Sequence, residues 1–157
     1  MESKKGIRFN SGRRIFQVAA DDYLPERVGE LTHGGITRSL RFMAQNYLRP
    51  IQLNDVVVVS GMSRRGFIKA FNKHLGVPPI SLLRQMRIKS AKRLLIEQDL
   101  PLRIITQRTG FRRENTFCIA FQRETGLAPK QFQRRAWLSA YRSTRFQQNS
   151  QSQQIIK

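Results

Sequence analysis

Cysteine is almost missing from this chain. Cys118 stands alone among 157 residues, so no disulfide framework can be built within it. Histidine is nearly as scarce. His33 and His74 are the only two, and with one cysteine they offer no zinc-ligand spacing, so no metal and no cofactor is expected. Carboxylates are few as well: 10 Asp+Glu face 29 Lys+Arg, a net charge of +19. No apolar run approaches a membrane span, and the first thirty residues lack the apolar centre of a signal peptide. These absences argue against a disulfide scaffold, a zinc module and a membrane protein, and they lead to the expectation of a cytoplasmic chain.

The charge that is present points to a polyanionic partner, nucleic acid before an acidic membrane surface. It is concentrated. Val56 to Ile96 holds nine basic residues and no carboxylate. Leu100 to Arg145 holds ten basic residues against Glu114 and Glu124. Met1 to Glu30, by contrast, is nearly balanced, with six basic and five acidic residues. The segment from about Val56 onward is therefore the one expected to meet the polyanion. At 39% hydrophobic residues the chain still has enough apolar side chains for a core.

An internal repeat organises that segment. FIKAFNKHLGVPP (Phe67 to Pro79) aligns with FCIAFQRETGLAP (Phe117 to Pro129) at an offset of fifty. Upstream, Leu53, Val56 and Gly61 align with Leu102, Ile105 and Gly110 at an offset of forty-nine, so the second copy has one more residue in its turn. The repeat decides how the valines at 56–59 are read. By side-chain preference four β-branched residues favour a strand. The second copy keeps only the apolar i, i+3 spacing and the later glycine, a helical pattern with a glycine at its C-terminal end. Leu53 to Ser60 is accordingly expected to be a helix. Its four valines cost roughly 2 kcal/mol of helix propensity, which burial of two of them offsets.

Each copy then reads as helix, turn, helix, the helix-turn-helix unit. Ser63 suits the N-cap of the second helix. Phe67, Ala70 and Phe71 form its inward stripe, with Phe117, Ala120 and Phe121 their counterparts. The outer face carries Arg64, Arg65, Ile68, Lys69, Asn72 and Lys73, the basic surface that such a helix needs to enter a major groove between phosphates. Between the copies, residues 79–98 carry apolar residues at helical spacing after Pro79. A helix of that length spans about 28 Å, close to one turn of B-DNA at about 34 Å. The expected fold is all-α: two helix-turn-helix subdomains joined by a central linker helix, about seven helices in all. The first unit is placed at about 53–75 and the second at about 102–125.

GMSRRGFIKAFNKHLGVPPISLLRQMRIKSAKRLL followed by GFRRENTFCIAFQRETGLAPKQFQR resembles the DNA-binding domain of the AraC/XylS family of bacterial transcription regulators. The elements G-x-S, F-x-x-x-x-G-x-x-P, R-[LI]-x-x-A-x-x-L-L and G-F…F-x-x-x-F…G-x-x-P stand in order. The resemblance implies sequence-specific binding of double-stranded DNA at promoters, with two recognition helices in successive major grooves. It also implies control of transcription initiation, often by contact with RNA polymerase. It places base-reading positions on Arg65, Ile68 and Lys69 in the first unit, and on Glu114, Asn115, Cys118 and Ile119 in the second. Ser63, Arg64, Lys73, Arg87, Arg112 and Arg113 are expected at phosphates. Val57 and Thr106 stand where the family usually has alanine, and Ile119 where arginine is common. An isoleucine cannot pair with guanine but can lie on a thymine methyl. The first unit is therefore expected to do most of the sequence reading and the second mostly to anchor.

The module is expected to cover 35–137. Within the segment 1–34, RRIFQVAADDYLPE (Arg13 to Glu26) is read as one strand and a turn, and the segment as either the remnant of a sensor domain or the start of a regulator that works without one, with no effector site evident. The segment 138–157 is read as a polar, disordered tail. Enzyme chemistry finds no support: there is no phosphate-binding glycine loop, no paired carboxylates in a cleft and no nucleophile with a histidine partner. The competing readings are a non-specific architectural DNA- or RNA-binding protein with eroded specificity, and a non-functional fragment of a longer regulator.

Overall fold

Seven helices account for the regular structure of residues 34–152, the part of the chain that the computed structural model describes. They are α1 (Gly34–Asn46), α2 (Leu53–Ser60), α3 (Arg64–Leu75), α4 (Pro79–Glu97), α5 (Leu102–Arg108), α6 (Glu114–Thr125) and α7 (Pro129–Ser152). The strand and turn expected over Arg13 to Glu26 lie outside the described residues.

The valine stretch is helical, and the reason is visible in its burial. Val56 and Val57 are buried, Val59 is half-buried and Val58 is 78% exposed. Local devices hold both ends. The Asp55 carboxylate accepts from the Gln52 backbone N–H at 2.7 Å. At the other end Arg38 donates to the carbonyls of Val59 and Ser60, placing a cation at the helix C-terminus. Ser63 caps α3 by accepting from the Gly66 N–H at 3.2 Å.

Two apolar cores follow from the repeat. Phe67 and Phe71 are fully buried among Ile36, Leu40, Met43, Val56, Leu83 and Met86. Phe117 and Phe121 are fully buried with Ile88, Ala91, Leu94, Leu95, Ile105 and Phe111. Helix α4 is the wall between them, supplying Leu83 and Met86 to the first core and Ile88 onward to the second. Arg87 is the residue at the crossover.

The second core is closed by α7, where Phe132 meets Phe121 edge-on at 5.3 Å. This helix corrects one expectation. Residues 138–152, read from sequence as disordered, continue α7 to Ser152. No glycine or proline interrupts the chain from Lys130 to Ser152, so nothing in it breaks the helix once α7 has been docked by Phe132. Residues 153–157 lie outside the described part.

Candidate nucleic-acid interface

Helix α3 brings together the positions expected to read bases. Arg65 and Lys69 are exposed, and Ile68 is half-buried against the first core. With Arg64 they line one surface depression. Lys73 is exposed one turn beyond Lys69 on the same helix. Arg64, expected at a phosphate, donates to Asn54 Oδ1 at 2.7 Å, so α2 holds its side chain in place at the helix N-terminus. Ser63 remains exposed while its hydroxyl caps α3.

Helix α6 offers a less basic face. Glu114 and Asn115 are exposed in its first turn, Cys118 is half-buried and Ile119 is 63% exposed. Burial pushes the Cys118 thiol up from its usual range, and the Glu114 carboxylate one turn earlier pushes it the same way. Exposure of a large apolar side chain beside Asn115 suits a surface that meets something partly apolar, such as a thymine methyl. Val57 and Thr106, the two departures in the first helix of each unit, are both buried. The Thr106 hydroxyl is satisfied by the Leu102 carbonyl at 2.9 Å.

Between the two units runs a cleft of about 530 Å³. Arg112, Arg113 and Thr116 from the start of α6 line one side, Gln52 and Leu53 from the start of α2 another, and Ile80 and Arg84 from α4 its floor. Arg113 is exposed at the N-cap position of α6, where the helix end itself favours an anion. Arg112 spans the cleft. A guanidinium only donates, so the Gln52 amide turns its oxygen toward it and accepts from both terminal nitrogens at 2.8 and 3.0 Å. Arg84, Gln52 and Thr116 were not singled out by sequence reasoning. Arg84 did carry a signal, since it aligns with Arg134 in the repeat.

Arg87 has an internal role that its expected place at a phosphate does not include. It is 9% exposed, and its guanidinium serves backbone carbonyls. Nε donates to the Tyr47 carbonyl at 2.8 Å, and one terminal nitrogen donates to those of Arg49 at 2.8 Å and Ile51 at 3.0 Å. Burial lowers its pKa to about 10, which leaves it charged at neutral pH. Three of its five N–H donors serve these carbonyls, and Arg87 also lines the cleft beside Arg112 and Arg113, so an internal role stands beside the expected phosphate contact.

Comparison with known proteins adds the following. A family model described as a helix-turn-helix domain matches residues 58–135. The probable transcriptional regulator LumQ of Photobacterium leiognathi is 26% identical over 92 residues, 59% of this chain and 37% of its own length. The RCS-specific HTH-type transcriptional activator RclR of Escherichia coli K12 is 30% identical over 83 residues, 53% of this chain and 29% of its own. The chain thus spans about a third of the length of these curated relatives. Among solved structures, the C-terminal domain of AraT from Geobacillus stearothermophilus shares the fold at a TM-score of 0.61 and 24% identity, covering 64% of this chain and 84% of that one. The DNA-binding domain of AdpA, a global transcriptional factor captured in complex with a target DNA, superposes with a TM-score of 0.60 at 25% identity, covering 71% of this chain and 96% of that one.

Proposed function

Starting from a chain that belongs to the AraC/XylS family of transcription regulators through its helix-turn-helix region, we propose that it binds duplex DNA and regulates transcription initiation by reading a bipartite site. Helices α3 and α6 lie in successive major grooves on one face of the duplex. The observation that carries this reading is the pairing of two exposed reading faces across a single 19-residue helix, α4, about 28 Å long. Arg65, Ile68 and Lys69 read bases in one half-site, and Asn115, Cys118 and Ile119, with Glu114, meet the other. Arg64, Lys73 and Arg113 take phosphates beside the grooves. Arg112 and Arg84 face the backbone that crosses the cleft between them.

The experiment is selection of bound sequences from a random duplex pool by the full chain at about physiological salt. Enrichment of a motif with half-sites one helical turn apart supports the reading. Retention of DNA without any motif, falling steeply as salt rises, replaces it with backbone binding alone. The exposed Ile119 is the feature that favours this second reading, since it leaves α6 with no bidentate guanine contact at that position.

A further inference from the structure

We propose that Arg87 is a positioning residue that fixes the spacing between the two half-sites, by locking the second reading unit onto the backbone of the first. This rests on the two-groove reading above and adds to it what holds the two reading helices in register.

The lock is built at one point. Arg87 sits where α4 changes from one core to the other, between Met86 and Ile88. Its three bonds go to carbonyls of alternate residues, Tyr47, Arg49 and Ile51, in the turn between α1 and α2. The second unit packs against that same turn beside the arginine. Gly110, in the α5–α6 turn, stands at φ +77°, and a Cβ there would come within 2.6 Å of the Tyr47 carbonyl, 2.8 Å of the Arg49 carbonyl and 3.0 Å of Arg87 Nε. The next residue, Phe111, lies with its ring centroid 5.7 Å from the Arg87 guanidinium carbon. Arg112 then reaches across to Gln52. Three consecutive residues of the second unit therefore touch the first unit or the arginine it holds.

The repeat supplies an internal control. Gly61, the counterpart of Gly110, has the same left-handed φ of +70°, but the nearest atom to its virtual Cβ is the far end of Arg38 at 3.4 Å. Close approach of backbone is thus a property of the seam, and the helix-turn-helix unit itself does not require it. The mechanical consequence is direct. Half of α4 is a lever of roughly 14 Å, and a swing of about 15° at the seam displaces its end by about 3.6 Å. That is close to one base-pair rise, about 3.4 Å.

The test uses the full chain and the half-sites obtained by selection, with the spacing between them changed by one and two base pairs in either direction. Arg87→Lys, Arg87→Met and Gln52→Ala are each compared with the unmodified chain. Gln52 is exposed, so its variant keeps the test alive where a change at Arg87 prevents folding. Thermal unfolding is recorded for each. The expected result is a flattened spacing profile: the preference for the best spacing over a neighbouring one drops about tenfold, while binding to an isolated half-site is kept. A variant that melts earlier or binds all spacings uniformly more weakly, with the wild-type profile intact, makes Arg87 a stabilising residue only and overturns the proposal. If selection with the unmodified chain yields no bipartite motif, the two-groove reading itself fails, and that failure is seen before any variant is made.

Discussion

Trp137 donates its indole N–H to the carbonyl of Ile96 at 3.1 Å, across forty-one positions of the chain. Ile96 lies in the last turn of α4, where carbonyls have no partner within the helix. The contact thus joins α7 to the end of the linker. Trp137→Phe keeps most of the ring and removes the donor. It is expected to cost about 0.5–1 kcal/mol, measured by denaturant unfolding followed by circular dichroism, since the chain's one tryptophan is then gone. An unchanged midpoint would show that the bond contributes nothing.

The valines of α2 make a paired prediction. Val58 is exposed, so Val58→Ala loses little burial and gains helix propensity, a stabilisation of about 0.5 kcal/mol. Val56 is 1% exposed in the first core, so Val56→Ala loses buried methyls and costs about 2 kcal/mol. Equal effects of the two substitutions would contradict the register of this helix.

Division of labour between the two units is expected to appear in base preference. Lys69→Ala should relax preference in its half-site by about 1–3 kcal/mol. Asn115→Ala should do distinctly less, because the face around it carries Glu114 and Ile119 where α3 carries Arg65 and Lys69, and the second unit is expected mostly to anchor. Selection experiments on both variants measure this, and equal relaxation would abolish the distinction. Lys73→Ala, at a proposed phosphate contact, should instead weaken all sequences alike and lower the salt slope by about one.

Cys118 should be a slow nucleophile. The reactive species is the thiolate, and both burial and the nearby Glu114 carboxylate disfavour it, so less is present at a given pH. Alkylation by iodoacetamide at pH 8 is expected to be slower than that of glutathione, with the rate rising only above the ordinary thiol range. Glu114→Gln moves that rise to lower pH by removing the smaller of the two causes. A rate profile like that of a free thiol would refute the assignment.

Those parts of the fold that rest on repetition and side-chain periodicity were legible in the sequence. The match of Phe67 and Phe71 with Phe117 and Phe121 gives two cores, and the valines become helical once read beside Leu102 and Ile105. The exposed basic face of α3 follows from the same periodicity. What could not be read were contacts whose partner is backbone. Tyr47, Arg49 and Ile51 bind Arg87 through their carbonyls, and carbonyls leave no mark in a side-chain pattern. The resemblance places Arg87 at a phosphate, and nothing in the side-chain pattern marks the carbonyls that it also serves. The reach of α7 is hidden for a different reason: the polar composition of 138–152 points to a disordered tail, while the feature that permits the helix is only the lack of any glycine or proline.

Helix α4 has one more consequence. The duplication visible in the sequence is not a duplication of self-sufficient parts. Leu83 and Met86 belong to one core, and Ile88, Ala91, Leu94 and Leu95 to the other, all on the same nineteen residues. A cut on either side of α4 leaves one half without a wall and the other with a row of apolar side chains facing water. The two helix-turn-helix units share a spine, so they are expected to melt in one cooperative transition, although each looks like a separate unit in the sequence.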